Sequence, residues 1–186
     1  VAGAGVAGRV MPVAYDGLAG RIEAAIRETE PPAVIAVGLW PGEPMIRIER
    51  IAANANAFEI PDNGGRLESG PVEPGGPDGR LATLPVEAIR DALLAARIPA
   101  RVSGTAGAFL CNATMYTLLG AAARQARPPR AGFVHVPYLP SQVAGLVEVL
   151  RDTHALELHQ RGDLASMELD TMVRAVSVAI ETTLAA

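Results

Sequence analysis

Apolar positions recur along the chain at two spacings, which indicates that strands and helices follow one another. A continuous apolar run at 33–37 is typical of a central parallel strand covered on both faces. Other apolar runs predict strands at 45–53, 100–103 and 131–136, and helical spacing predicts helices over 16–29, 85–97, 112–124 and 166–184. This alternation predicts an α/β fold, a single-domain three-layer α/β/α sandwich with a largely parallel twisted sheet.

The ends of the first predicted helix are marked by its flanking residues. Asp16 is placed to cap its start, and the Pro-Pro pair at 31–32 follows its end. Its apolar face is formed by Leu18, Ile22, Ala25 and Ile26. By contrast, the stretch 54–77 is rich in Gly, Pro and Asn and is predicted to be irregular. Irregular segments of that length within a domain are usually functional or mobile.

Composition narrows the class of protein. The 186 residues suit one domain, and a formal net charge of -4 leaves no basic surface for nucleic acid. The single cysteine cannot form an internal disulfide, which argues against an oxidising compartment. No uncharged apolar run approaches the roughly 18 residues that a membrane span needs, and no basic segment typical of a secretory signal opens the chain. We therefore expect a cytoplasmic location without membrane contact.

Cys111 is the strongest candidate for chemistry. It follows a glycine-containing loop and directly precedes a predicted helix, where the positive end of the helix dipole lowers a thiol pKa. Free backbone N–H groups at the same turn could stabilise an oxyanion. The alternative interpretation is an inert cysteine that packs as a small apolar residue.

His135 and Glu49 are candidate partners of that cysteine. His135 lies near the carboxyl end of a predicted strand, where open α/β sheets gather their ligands. A thiol, an imidazole and an orienting carboxylate form the nucleophilic machinery of cysteine hydrolases. Taken alone, a histidine in an apolar strand is more often a core residue than a catalyst, and Glu49 fits an exposed strand residue paired with Arg47 or Arg50 better than a catalytic one.

Two further patterns are weak. Gly3, Gly5 and Gly8 match a dinucleotide-binding fingerprint, but no strand precedes them, so a loop is the better interpretation. His154 and His159 are spaced i, i+5, which on a helix turns the two rings apart, so no metal site is expected there.

Three separated motifs resemble the pyroglutamyl peptidase type I family. The first combines Val37-Gly38, the stretch 49–54 (E-R-I-A-A-N) and the stretch 60–63 (I-P-D-N). The second includes Ser103 and 106–112 (A-G-A-F-L-C-N), and the third is 132–140 (G-F-V-H-V-P-Y-L-P) with Gln142. The three occur in the family's order and cover most of the chain from about Met11.

The resemblance implies a function and a site. It implies a cysteine peptidase that removes N-terminal pyroglutamate from peptides through a thioester, with no metal or organic cofactor. The implied catalytic residues are Cys111, His135 and Glu49. The implied substrate-binding residues are Phe109, Leu110, Ile60 and Leu39. A homo-oligomer, specifically a homotetramer, is also implied.

The chain departs from the family pattern at several places. The family's first strand and its T-G-F-x-P-F-G-G loop have no counterpart, so residues 1–186 are expected to form a cysteine-hydrolase domain without them. Glu59 occupies a position that is commonly Arg, and Leu39-Trp40-Pro41 replaces a smaller, Gly-rich turn. These changes leave two alternatives open, a hydrolase with another acyl preference and a catalytically silent homologue that acts in binding or assembly.

Overall fold

A computed structural model describes residues 1, 3–155 and 162–186 of the chain. In chain order, the helices and strands are α1 (Leu18–Thr29), β1 (Ala33–Leu39), β2 (Ile46–Glu49), β3 (Ile51–Ala53), β4 (Asn56–Ala57), β5 (Ser69–Gly70), β6 (Gly79–Leu81), α2 (Val86–Ala95), β7 (Ala100–Ser103), α3 (Leu110–Ala123), β8 (Arg130–Val136), α4 (Pro140–Asp152) and α5 (Leu169–Ala185). A short 3-10 turn spans Gly162–Leu164.

The central sheet has the strand order β1-β8-β2-β7. The prediction of a central strand covered on both faces at 33–37 is wrong, because β1 lies at the edge of this sheet, with Val37 48% and Leu39 38% exposed. The pairs β1–β8 and β2–β7 are parallel, and the pair β2–β8 is antiparallel. Two minor two-stranded sheets, β3–β6 and β4–β5, lie outside it. The predicted single-domain α/β fold with a largely parallel sheet is confirmed.

Helices cover both faces of the central sheet. On one face, α1 and α3 pack against a core that includes Ala131 and Phe133 of β8. On the other face, α2 and α5 pack against a core that includes Ile48 of β2 and Val134 of β8. Because alternate strand residues point to opposite faces, strands buried on both sides must be apolar at nearly every position. A polar residue on such a strand is therefore exceptional, and His135 and Glu49 are of this kind.

Several local predictions need correction. The α1 N-cap is Gly17, in a left-handed conformation with φ 72°, and Asp16 makes no capping bond but pairs with Arg66. The predicted strand 45–53 is two strands, because its residues change partner sheets at Arg50. Helix α4 was not predicted, although Val143, Val147 and Leu150 recur at helical spacing; none of its residues is buried.

The irregular segment 54–77 is held by side chains that bond to its backbone. The Asn54 side chain accepts from the Glu73 N–H at 2.8 Å and donates to the Glu73 carbonyl at 2.8 Å. Asp62 accepts backbone N–H bonds from Tyr15, Gly64 and Arg66 at 2.7–2.9 Å, and the bonds from Tyr15 and Arg66 hold the pKa of this carboxyl below its usual range. Local bonds of this kind replace the missing ladder hydrogen bonds.

Two adjacent leucines of α2 test the layer arrangement. Leu93 is fully buried against the sheet, whereas Leu94 is 48% exposed. Leu93→Ala is expected to lower the free energy of unfolding by about 2–5 kcal/mol, because it removes buried methyl groups and leaves a cavity. The matched change Leu94→Ala is expected to stay within about 0.5 kcal/mol. Urea denaturation followed by circular dichroism measures both, and equal effects would contradict the layer assignment.

Candidate active site

The register of the central sheet places the candidate residues on one face. His135 of β8 lies beside Gly38 of β1 and opposite Arg47 of β2, and Glu49 lies opposite Phe133. Paired residues of neighbouring strands point to the same side, as do residues two apart along one strand. The side chains of His135, Arg47 and Glu49 therefore share the face that α3 covers.

Cys111 reaches this face from α3, of which it is the second residue. A Cβ atom added to Gly38 would lie 3.1 Å from the Cys111 Sγ and 2.7 Å from the Cζ of Phe133. The sulfur therefore sits directly over the backbone of β1, at the residue paired with His135. The absence of a side chain at position 38 leaves the space that the nucleophile candidate occupies.

A buried hydrogen bond joins His135 to Glu49. The imidazole Nδ1 lies 2.8 Å from the Glu49 Oε1, and both side chains are fully buried. A carboxylate on Nδ1 fixes the ring orientation and leaves Nε2 for chemistry. The interpretation of Glu49 as an exposed strand residue is wrong. Of its two suggested partners, Arg47 bonds to it, whereas Arg50 pairs with Glu87 at 2.5 Å.

The second ring nitrogen of His135 has no hydrogen-bond partner. Among the described residues, Nε2 of His135 and Oε2 of Glu49 are buried polar atoms without a partner, so the Cys111 thiol is not hydrogen-bonded to the ring in this structure. Buried polar atoms are almost always bonded, and exceptions often mark catalytic groups. Nε2 is therefore free to exchange a proton with a reacting group.

The Cys111 thiol is more basic than the sequence predicted. Burial, and secondarily the negative charge of Glu49, raises its pKa from about 9 to about 11. The predicted lowering of this pKa is corrected, because burial disfavours the charged thiolate at this position. The resting group near neutral pH is a thiol, so a base must take its proton when it attacks.

The start of α3 offers donors for an oxyanion. The N–H of Ala113 bonds to the carbonyl of Phe109 at 3.2 Å, and the three amides before it have no acceptor within the helix. The first turn holds no acidic residue, so the positive end of the dipole is not offset by a carboxylate there. These N–H groups belong to Leu110, Cys111 and Asn112.

Asn112 anchors this turn to the rest of the domain. Its side chain accepts from the N–H of Ala53 and donates to the carbonyls of Ala53 and Ala55, each at 2.9 Å. A side-chain amide that is satisfied on both sides fixes the residue next to Cys111 against the end of β3. Sequence reasoning had assigned Asn112 no role beyond its place in the motif.

The four predicted substrate-binding residues differ in burial and in the face to which they belong. Phe109 packs on Phe58 with ring centroids 4.4 Å apart, Leu110 is buried in the core and Ile60 is 64% exposed. Leu39 lies next to Gly38 along β1, so its side chain points to the opposite face and lines a groove against α5. Only the backbone of Leu39 can therefore face the site, and the four substrate contacts stay predictions.

Arg47 and Trp40 contact the site in ways that the sequence did not indicate, since Arg47 was considered only as a surface partner of Glu49 and Trp40 only as part of a changed turn. The Arg47 Nε lies 3.1 Å from the Glu49 Oε1, and its guanidinium carbon lies 3.6 Å from the centre of the Trp40 ring. Trp40 also meets His135 edge-on, with centroids 4.9 Å apart. The alternation I-R-I-E of 46–49 would have placed Arg47 and Glu49 on one face, but their burial depends on neighbouring strands.

The remaining candidates lie away from this face or outside the description. His154 follows α4 with φ 55°, and His159 lies outside the described residues. Within the described part of the chain, no cluster of three or more His, Cys, Asp or Glu could hold a metal ion. The segment before α1 that carries Gly3, Gly5 and Gly8 contains no strand in its described residues.

A family model described as pyroglutamyl peptidase matches residues 1–186, the whole chain. The chain belongs to the pyroglutamyl peptidase family. It is 40% identical to the pyrrolidone-carboxylate peptidase of Thermococcus onnurineus over 187 positions, covering 100% of this chain and 86% of the relative. A second relative, from Gloeobacter violaceus, is 40% identical over 97% of this chain and 81% of its own length.

Solved structures of the family have the same fold. A mutant pyrrolidone carboxyl peptidase from Pyrococcus furiosus superposes with a TM-score of 0.88 at 37% identity, covering 100% of this chain and 84% of that one. The enzyme from Thermococcus litoralis superposes with a TM-score of 0.85 at 34% identity, over 96% and 77% of the two chains. The resemblance predicted from three motifs is confirmed, and the chain is a cysteine peptidase of the pyroglutamyl type.

None of the helices among the described residues is both long and apolar enough to cross a membrane.

The raised pKa of Cys111 predicts a pH dependence for its alkylation. The rate with iodoacetamide is expected to keep rising from about pH 7 to pH 10, because only the thiolate reacts and burial keeps the thiol protonated. Mass spectrometry of timed samples gives the rate constants. The same cysteine in the urea-unfolded chain is the control, and its rate should level off near the ordinary thiol pKa of about 8.5. A rate already constant at pH 7 in the folded protein would contradict this.

Proposed function

We propose that this family member removes N-terminal pyroglutamate from peptides, with Cys111 as nucleophile, His135 as acid and base, and Glu49 as the group that orients the imidazole. The observation that carries these roles is the buried 2.8 Å contact between His135 and Glu49 on the face where the Cys111 sulfur lies over Gly38. A nucleophile, a base and an orienting acid are the parts that acyl transfer needs.

The proposed reaction has two steps. His135 Nε2 takes the thiol proton as Cys111 Sγ bonds to the pyroglutamyl carbonyl carbon, and the amides at the start of α3 stabilise the oxyanion. His135 returns the proton to the departing amine, and a thioester remains. His135 then takes a proton from water, which attacks the thioester, and the proton returns to sulfur as pyroglutamate leaves. Glu49 stabilises the imidazolium each time it forms.

Substrate recognition is proposed for the side of the site next to α3. The pyroglutamyl ring is compact and uncharged, and such a ring fits an apolar slot with a few backbone hydrogen bonds. Phe109 is half-buried at the start of α3, two residues before Cys111, and is the side chain best placed to meet it. Ile60 is exposed on the neighbouring segment and free to cover a bound ring. Leu110 supports the slot from the core.

Hydrolysis of a chromogenic pyroglutamyl amide tests the function and the roles together. Cys111→Ser is expected to abolish release, and Glu49→Gln to lower kcat by about 10²–10⁴-fold with little change in KM, because the ring loses its orienting anion. Glu87→Gln is the matched control, since Glu87 pairs with Arg50 at the surface. No thiol-dependent release from the folded protein, or full activity of Glu49→Gln, would contradict the proposal.

We also propose that the enzyme is a homo-oligomer, and specifically a homotetramer. An apolar groove of about 610 Å³ lies between the edge strand β1 and α5, and exposed large residues line it. They include Val37, Leu39, Leu169 and Val173, which are 38–56% exposed. A continuous apolar surface of this kind is typical of a protein–protein contact. A reduced catalytic thiol also supports a cytoplasmic location.

The groove predicts how the assembly can be broken. Val173→Asp is expected to shift the particle measured by light scattering after size exclusion towards smaller species, because a buried unpaired charge opposes association. Leu94→Asp, a charge placed on another exposed apolar residue outside the groove, is the control and should leave the mass unchanged. A wild-type protein that is monomeric at every concentration would contradict the proposal.

A further inference from the structure

Arg47 is a charged residue in an unusual place. Only 4% of this charged residue is exposed. It lies in the central sheet, at the register position opposite His135. Removing a guanidinium from water is expensive, and apolar replacements for buried ion pairs are often equally or more stable. Stability alone is therefore a weak reason for an arginine here, and its contacts point elsewhere.

The first of these contacts is with the acid of the site. The Arg47 Nε and the His135 Nδ1 approach the same oxygen of Glu49, at 3.1 and 2.8 Å. The other oxygen has no hydrogen-bond partner among the described residues. A single carboxylate oxygen therefore serves both groups, and the guanidinium stabilises its negative charge and fixes its direction.

The second contact is with the loop that leads to the nucleophile. The Arg47 Nη2 donates to the Ser103 hydroxyl and to the Thr105 carbonyl, both at 2.7 Å. This loop continues through Gly107, which has φ 81°, into the first turn of α3. Arg47 is thus bonded both to the acid that orients His135 and to the segment that carries Cys111.

Trp40 completes the arrangement. Its ring is stacked on the Arg47 guanidinium, and its edge meets both His135 and the backbone at Gly107. An aromatic ring over a guanidinium offsets part of the lost hydration by cation–π attraction and excludes water from the pair. The large residue in the 39–41 turn therefore has a defined partner in Arg47.

We propose that Arg47 is a positioning residue of this peptidase, which holds the Glu49 carboxylate against His135, ties it to the Cys111 loop and sets the pH range of activity through its positive charge. The kinetic part of this inference rests on the proposed function. The electrostatic part does not, because Cys111 reacts with small electrophiles without any peptide substrate.

The sign of the pH effect follows from the charges that face His135. Glu49 and Arg47 come from β2 and Cys111 from α3. Glu43 of the 40–45 turn pairs with Arg101 of β7 at 2.6 Å and with Arg47 at 3.5 Å. Arg47 and Glu49 likewise offset one another. Removing Arg47 leaves one uncompensated negative charge, which favours the protonated forms of the Cys111–His135 pair. Both limbs of the pH profile should then move to higher pH.

The experiment compares Arg47→Met, which removes the charge, with Arg47→Lys, which keeps it and loses the planar fork. For Arg47→Met we expect both limbs of kcat/KM against pH to rise by about one unit, with kcat lowered about tenfold or more and KM nearly unchanged. For Arg47→Lys we expect both limbs of kcat/KM against pH to stay at their wild-type pH values, because the charge is kept. We also expect a several-fold loss of kcat, because the planar fork is lost. Arg47→Gln replaces Arg47→Met if the latter does not fold.

Arg80→Met is the matched control. Arg80 is also stacked on an aromatic ring, 3.9 Å from the Tyr116 centroid, and paired with a carboxylate, Glu73, at 2.6 Å, but it lies outside the site. Its loss should lower stability in urea without moving either limb. Unmoved limbs in Arg47→Met, or an equal shift in Arg80→Met, would overturn the proposal.

Alkylation of Cys111 against pH provides the second readout. The profile of Arg47→Met should shift to higher pH relative to wild type, whether or not pyroglutamyl amides are cleaved. If the wild type releases no amine while this shift appears, the proposed function fails and the role of Arg47 stands. If release is normal and neither profile shifts, the role of Arg47 fails alone.

Discussion

The buried carboxylate of Glu49 is the constraint on which the site depends. A carboxylate without exposure is tolerated only when cations and hydrogen-bond donors meet it, because the lost hydration must be replaced. Here a single oxygen of Glu49, Oε1, is hydrogen-bonded to both His135 and Arg47. The second of these partners needs its own supports, which Ser103, Thr105 and the Trp40 ring provide. A chain of paired polar groups thus runs through an otherwise apolar α/β core.

The catalytic groups of the candidate site come from two different parts of the fold. The sheet supplies fixed polar side chains, and the start of α3 supplies the sulfur and the free amides. Gly38 makes the two compatible, because its missing side chain lets the helix approach β1 closely. The burial that results also raises the Cys111 pKa, so the arrangement depends on proton transfer during attack rather than on a thiolate formed in advance.

Local patterns predicted what depends on local physics. Strand β8 and helices α1, α2 and α5 bury a face, and their apolar spacing predicted them within a few residues at each end. The apolar run of β1 predicted a strand at the right place but not its position at the edge of the sheet. Helix α4 was missed although Val143, Val147 and Leu150 recur at helical spacing, and none of its residues is buried. The break between β2 and β3 at Arg50 was not predicted, because the apolar alternation continues through it. What changes there is the partner strand, and strand pairing depends on the tertiary structure.

The features of the site likewise divide into those that the sequence predicted and those that depend on tertiary contacts. Cys111, His135 and Glu49 were candidates because each stands out from its surroundings in the chain. The burial of Arg47 and the raised pKa of Cys111 both depend on residues far away in sequence, such as Ser103 for the first and Glu49 for the second. For Leu39 the motif predicted a place at the site, but a motif does not reveal which face of a strand a side chain takes, and this side chain lines the groove against α5.

The register of β2 limits how this family member can change through evolution. Arg47 and Glu49 alternate with Ile46 and Ile48, which pack in the opposite core. If one residue were inserted or deleted in the link between β1 and β2, β2 could slip by one position. The isoleucines would then face the site, and Arg47 and Glu49 would face the opposite core. Two charges would then enter an apolar core, and two isoleucines would replace the acid and its partner. A change in the length of that link that slipped β2 would therefore remove the acid from the site as completely as its substitution would.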